Sequence, residues 1–78
     1  MIDTKTTYVE DEMPTLEKLQ ELVGGYIEIV LSADMRKQIV VDEEGLLKGK
    51  EFNEEASRIA GQKLFGNAVV LSDDALLD

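Results

Sequence analysis

The chain has 78 residues, with seventeen acidic against eight basic side chains, a formal charge of -9, and neither histidine nor cysteine. A chain this short makes one domain with a thin core, because it buries only roughly 60% of its unfolded surface. Missing His and Cys exclude disulfides, zinc sites and histidine-based nucleophilic triads, and the acidic balance argues against direct nucleic-acid binding, which depends on Lys and Arg.

In chain order, residues 1–12 form a polar arm that ends in the acidic run Glu10-Asp11-Glu12. Within it, Thr6-Thr7-Tyr8-Val9 suits a short strand by residue type, and suits a frayed terminus by position. Residues 13–72 read as one domain. Pro14 and Thr15 open a first helix, with Thr15 as N-cap. Leu16, Leu19, Leu22 and Val23 recur at three- and four-residue steps and make one apolar stripe. Gly24-Gly25 ends this helix.

Tyr26 to Leu31 reads as a strand whose only charge is Glu28. Ile27, Ile29 and Leu31 share one face; Tyr26, Glu28 and Val30 share the other. Ser32-Ala33-Asp34 is a turn, and Lys37 to Asp42 is the second arm of an antiparallel hairpin. Glu43-Glu44-Gly45 turns again. Leu46 and Leu47 are expected to dock on the core, with Lys48-Gly49-Lys50 on the surface. Asn53 caps a second helix, with Glu54 and Glu55 in its first turn, Ala56, Ile59 and Ala60 as its buried stripe and Gly61 at its end. Ala68-Val69-Val70-Leu71 is apolar on both faces, which fits a central strand. Residues 73–78 form an acidic tail, in which an inert end is preferred to a docked Leu76-Leu77.

The fold predicted is α+β, in the order β(weak)-α-β-β-α-β: a small, mainly antiparallel sheet with two helices packed on one face. With no Trp, and only two Tyr and two Phe, the core is aliphatic. So small a core invites pairing, and a homodimer is expected. No apolar run approaches the ~20 residues of a membrane span. The start, Met1-Ile2-Asp3-Thr4-Lys5, lacks the features of a signal peptide. A cytoplasmic location is therefore the expectation.

The run Leu19-Gln20-Glu21-Leu22-Val23-Gly24-Gly25-Tyr26-Ile27-Glu28 resembles the signature of a domain-of-unknown-function family of phage and mobile-element accessory proteins. In that family a helix ends in a double glycine and runs into a Tyr-Ile-Glu strand. Asp42-Glu43-Glu44-Gly45-Leu46-Leu47-Lys48-Gly49, Asn53 and Gly66-Asn67-Ala68-Val69-Val70-Leu71 follow in phase, so the resemblance covers roughly residues 13 to 71. Family members usually open with two strands before the first helix; here that opening is shortened to Thr6–Val9. The resemblance implies an accessory gene acting in the cytoplasm of a host cell, and it carries over no catalytic residue.

No catalytic residue, metal ligand or cofactor follows from the pattern. Asp42-Glu43-Glu44-Gly45 lacks the alternating oxygen ligands and distal glutamate of a calcium loop. The first functional expectation is a non-enzymatic protein that binds and modulates a host protein with a basic surface. Its expected contact residues are Tyr26, Glu28, Glu43 and Glu44, with Tyr26 as the energetic anchor. Glu28 lies mid-strand: if that face is covered it needs a cationic partner, and if open it joins Tyr26 as a contact patch. The alternative is an oligomeric protein that sequesters a nucleotide signal, with Arg36, Lys48 and Arg58, helped by Lys37 and Lys50, meeting phosphates. A virion subunit is a third reading.

Overall fold

The computed structural model describes residues 4–77. Met1, Ile2 and Asp3 of the polar arm, and Asp78 of the tail, lie outside the described residues. The elements are β1 (Thr6–Val9), α1 (Leu16–Val23), β2 (Ile27–Leu31), β3 (Gln38–Asp42), α2 (Glu54–Ala60), β4 (Ala68–Leu71) and a short 3-10 turn (Asp73–Ala75). The chain is α+β, with one four-stranded sheet in the order β1-β4-β3-β2. β2 pairs antiparallel with β3, and β3 with β4, while β1 runs parallel to β4.

Local chemistry sets the helix ends. The Thr15 hydroxyl accepts from Lys18 N–H, and the Asn53 side chain accepts from Ala56 N–H, so each helix has one of its orphan donors satisfied. Gly24 closes α1 at φ 79°, a left-handed conformation that costs glycine nothing. Thr6–Val9 is a strand, not a frayed end. Its Tyr8 hydroxyl donates to Glu55 of α2 and its Thr6 hydroxyl meets Asn53, so side-chain bonds add to the main-chain pairing.

The two helices lie on opposite faces of the sheet, not on one. α2 presents Ala56 and Ala60 to Ile39, Val41, Ala68 and Val70. α1 presents Leu19 and Val23 to Val40, Val69 and Leu71. The reason is in the two inner strands. β3 and β4 alternate, but both of their faces are apolar, and four strands with one cover would leave a layer of Val and Leu in water. Each fully buried Val or Leu contributes about 1.5–3 kcal/mol, so dividing the helices between the faces is favoured. β4 is central, as its two-sided apolar pattern predicts.

The C-terminal segment is also part of the packing rather than an inert tail. Ala75 is buried, Leu76 and Leu77 pack on the α1-side cluster, and the Gln38 side chain donates to Leu77 C=O and accepts from Leu77 N–H. Asp73 and Asp74 stay outside while the three apolar residues after them turn in.

Leu19 lies at the centre of the α1-side cluster, with 1% of its surface exposed. Leu19→Ala is expected to cost about 2–5 kcal/mol, read as a drop in the urea midpoint with little change in slope.

Candidate functional site

Asp42 is the last residue of β3 and shares the α1 side with Val40. Its side chain is only 1% exposed. A buried carboxylate needs cations and hydrogen bonds, and the next eight residues supply both. Lys48 Nζ lies 2.8 Å and Lys50 Nζ 2.7 Å from Asp42 Oδ2. Glu44 N–H donates to Asp42 Oδ1 at 2.9 Å. Lys50 Nζ also donates to Val23 C=O, one of the free carbonyls at the end of α1. One carboxylate thus ties together the end of β3, the 43–50 segment and the last turn of α1.

Gly25 belongs to the same cluster. A Cβ there would approach Asp42 Oδ2 and Lys48 Nζ to 2.7 Å. The double glycine therefore has two separate causes: Gly24 provides the left-handed turn, and Gly25 makes room for the ion pair. Asn53 separately ties the start of α2 to the segment before β4, donating from Nδ2 to Gly66 C=O at 2.9 Å.

Burial alone would raise the Asp42 carboxyl pKa. The hydrogen bonds from Lys48, Lys50 and Glu44 N–H, with the charge of Lys50, outweigh it and hold the group well below the usual carboxylate range. Its bond to Asp42 raises the Lys48 ammonium in turn.

This cluster inverts the expected polarity of the 46–50 stretch. Lys48 and Lys50 turn inward to Asp42, whereas Leu46 and Leu47 are 68% and 85% exposed. Burying both leucines would contribute about 3–6 kcal/mol, the same order as the loss of about 3–5 kcal/mol when a buried carboxylate is left without its cation, so the geometry of the segment decides which set faces in. The bonds Lys48 N–H to Glu44 C=O and Gly49 N–H to Leu46 C=O coil the segment. A tight coil with its lysines directed at Asp42 leaves the intervening leucines on its outer side.

The other expected contact residues are distributed around this end of the sheet. Tyr26 is exposed and lines a cleft of about 300 Å³ with Gln20, Gly25, Glu44 and Lys48. Glu28 is exposed, so its face is open. It lines a smaller cleft of about 130 Å³ with Glu43, Gly45 and Phe65. Tyr26 thus keeps company with Glu44, and Glu28 with Glu43. The phosphate-binding set is not gathered within one chain. Arg36 lies in the 32–37 turn, at the far end of the β2–β3 hairpin from Lys48. Arg58 lies on the outer side of α2. Lys48 and Lys50 are engaged by Asp42, and Lys37 flanks Gln38 at the hairpin end.

A family model described as a domain of unknown function, DUF3846, matches residues 1–76. The chain belongs to this DUF3846 family. The match extends past the run legible in the sequence at both ends, taking in β1 and the whole C-terminal 3-10 turn. No curated protein and no solved structure gives a significant match. Among the described residues, no helix is long and apolar enough to cross a membrane.

Sequence reasoning did not single out Asp42 as a site residue, and it named Lys50 only as a phosphate ligand. The signal available was a carboxylate closing Gln38-Ile39-Val40-Val41, a strand apolar on both faces, with two lysines following within eight residues. Asp42→Asn is expected to cost about 1.5–3 kcal/mol, the range for hydrogen bonds to charged groups, because Lys48 and Lys50 keep access to water, and Lys50→Ala is expected to cost more than Lys48→Ala because only Lys50 also caps α1. Because folding lowers this carboxyl's pKa, its contribution is complete above the unfolded value of about 3.9. That contribution is lost as pH falls through the folded value. The difference in urea midpoint between the native chain and Asp42→Asn is expected to hold from pH 7 to about pH 5 and to shrink below that.

Proposed function

We propose that this DUF3846 chain is a non-enzymatic accessory protein of a phage or mobile element that binds and modulates a protein of the host cell. The observation that carries the reading is the outward display of Leu46 and Leu47 on a coil fixed by the Asp42 ion pairs. Exposed single leucines are ordinary. Two adjacent ones on a braced turn are a preformed anchor, since little conformational freedom remains to be lost on binding. Glu43, Glu44 and Glu51 flank them and Tyr26 lines the neighbouring cleft. That arrangement of an apolar tip within an acidic rim suits an apolar groove bordered by Lys and Arg, with the charges favouring encounter. The resemblance to phage and mobile-element proteins supports the host as the source of the partner.

The immobilised chain is expected to retain one protein stoichiometrically from host extract. A Leu46→Ser, Leu47→Ser double variant is expected to weaken that complex about 30-fold, the ~2 kcal/mol of a binding hot spot, with its urea midpoint unchanged. Undiminished affinity in the double variant would sink this reading.

A further inference from the structure

Among the described residues, no strand lies beside the outer side of β2, and β2 is the edge with exposed aliphatic residues on one face: Ile29 is 46% and Leu31 50% exposed. We infer that a second copy of this chain pairs antiparallel along β2, about a two-fold axis at Ile29.

The hydrogen-bond phase supports this register. Glu43 N–H donates to Tyr26 C=O and Ser32 N–H donates to Lys37 C=O. In an antiparallel ladder, alternate residues bond to the same neighbour. Tyr26, Glu28, Val30 and Ser32 therefore face β3. Ile27, Ile29 and Leu31 direct their N–H and C=O groups to the open side. Opposed to itself about Ile29, the strand places Ile29 against Ile29 and Ile27 against Leu31. All of its free main-chain groups then find partners, forming about six hydrogen bonds.

Side-chain parity agrees with this register. Ile27, Ile29 and Leu31 point to the α1 face, and the pairing gathers both copies' sets into one apolar row. Leu16 lies one turn before Gln20, which lines the cleft beside Tyr26, so the exposed Leu16 flanks the same strip. On the other face Glu28 meets Val30 of the second copy, so like charges are not directly opposed. The two-fold also sets the ends in complementary fashion. The hairpin turn with Arg36 and Lys37 comes beside the end of the second copy that carries Glu43 and Glu44. The long-range repulsion of two chains at -9 each is screened at ~0.15 M salt, where the Debye length is about 8 Å. β1, the opposite edge, opens after Lys5 and closes at Glu10-Asp11, charges that discourage strand addition. This pairing is independent of Leu46 and Leu47.

Sedimentation equilibrium at about 0.15 M salt is expected to give twice the 8.7 kDa chain mass, and Ile29→Lys to give a single chain mass with an unchanged circular dichroism spectrum. The chain has no cysteine, so introduced thiols report register. Ile29→Cys is expected to form an intermolecular disulfide on mild oxidation, since Cα atoms of a hydrogen-bonded pair lie ~5.5 Å apart. Leu31→Cys is not, because its copies lie roughly 14 Å apart in this register. A single chain mass for the native protein, a dimer that survives Ile29→Lys, or a disulfide from Leu31→Cys and not from Ile29→Cys would each overturn the pairing.

Discussion

The carboxylate of Asp42 organises one end of the sheet. It stands at the junction of a strand, a coil and a helix terminus, and each of those elements has a polar group that burial would otherwise leave unsatisfied. Two ammonium groups and one main-chain N–H answer it. Lys50 passes the connection on to Val23 C=O, and Gly25 stays small so that Lys48 can approach. A buried pair of this kind is weak evidence for extra stability compared with an apolar substitute. Its effect here is directional: it decides which residues of the 43–50 segment face in and which face out.

That direction connects the structure to the proposed function. Hydropathy alone places leucines inside and lysines outside, and the ion pairs reverse the order. The result is a small acidic domain whose exposed apolar residues lie on a braced coil at one end of the sheet and on an open strand along one edge. The two proposed surfaces have separate apolar residues, Leu46 and Leu47 on the coil and Ile29 and Leu31 on β2, and meet at Glu43 and Glu44.

Much of the architecture was legible because it is local. Thr15, Gly24, Asn53 and Gly61 mark their helix ends by capping chemistry that acts within a few residues. Ala68–Leu71 declares itself central by being apolar on both faces. The same two-sided pattern, read also in Ile39-Val40-Val41, called for a helix on each face, and the one-face arrangement neglected the second layer. The 46–50 stretch was illegible for another reason. Its polarity depends on Asp42 being buried, and that follows from where α1 ends rather than from neighbours in sequence. At the C-terminus, Asp73 and Asp74 give an acidic appearance to a segment whose Ala75, Leu76 and Leu77 complete the α1-side core. Of the expected contact residues, Tyr26, Glu28, Glu43 and Glu44 all fall on the Asp42 end of the sheet, while Arg36, Lys48 and Arg58 are scattered because spacing in sequence says nothing about opposite ends of a hairpin.

The position of β4 has a consequence for how the protein is made. The last strand lies between the first and the third, so β1 has no neighbour in the sheet until Leu71 has been synthesised. The β2–β3 hairpin can form while the chain is still emerging from the ribosome, but it does so with the apolar flank of β3 unpaired. Completion of the sheet is therefore a late event, dominated by contacts between distant parts of the sequence, which slows folding. During that interval the nascent chain exposes surfaces that chaperones recognise and that aggregation exploits.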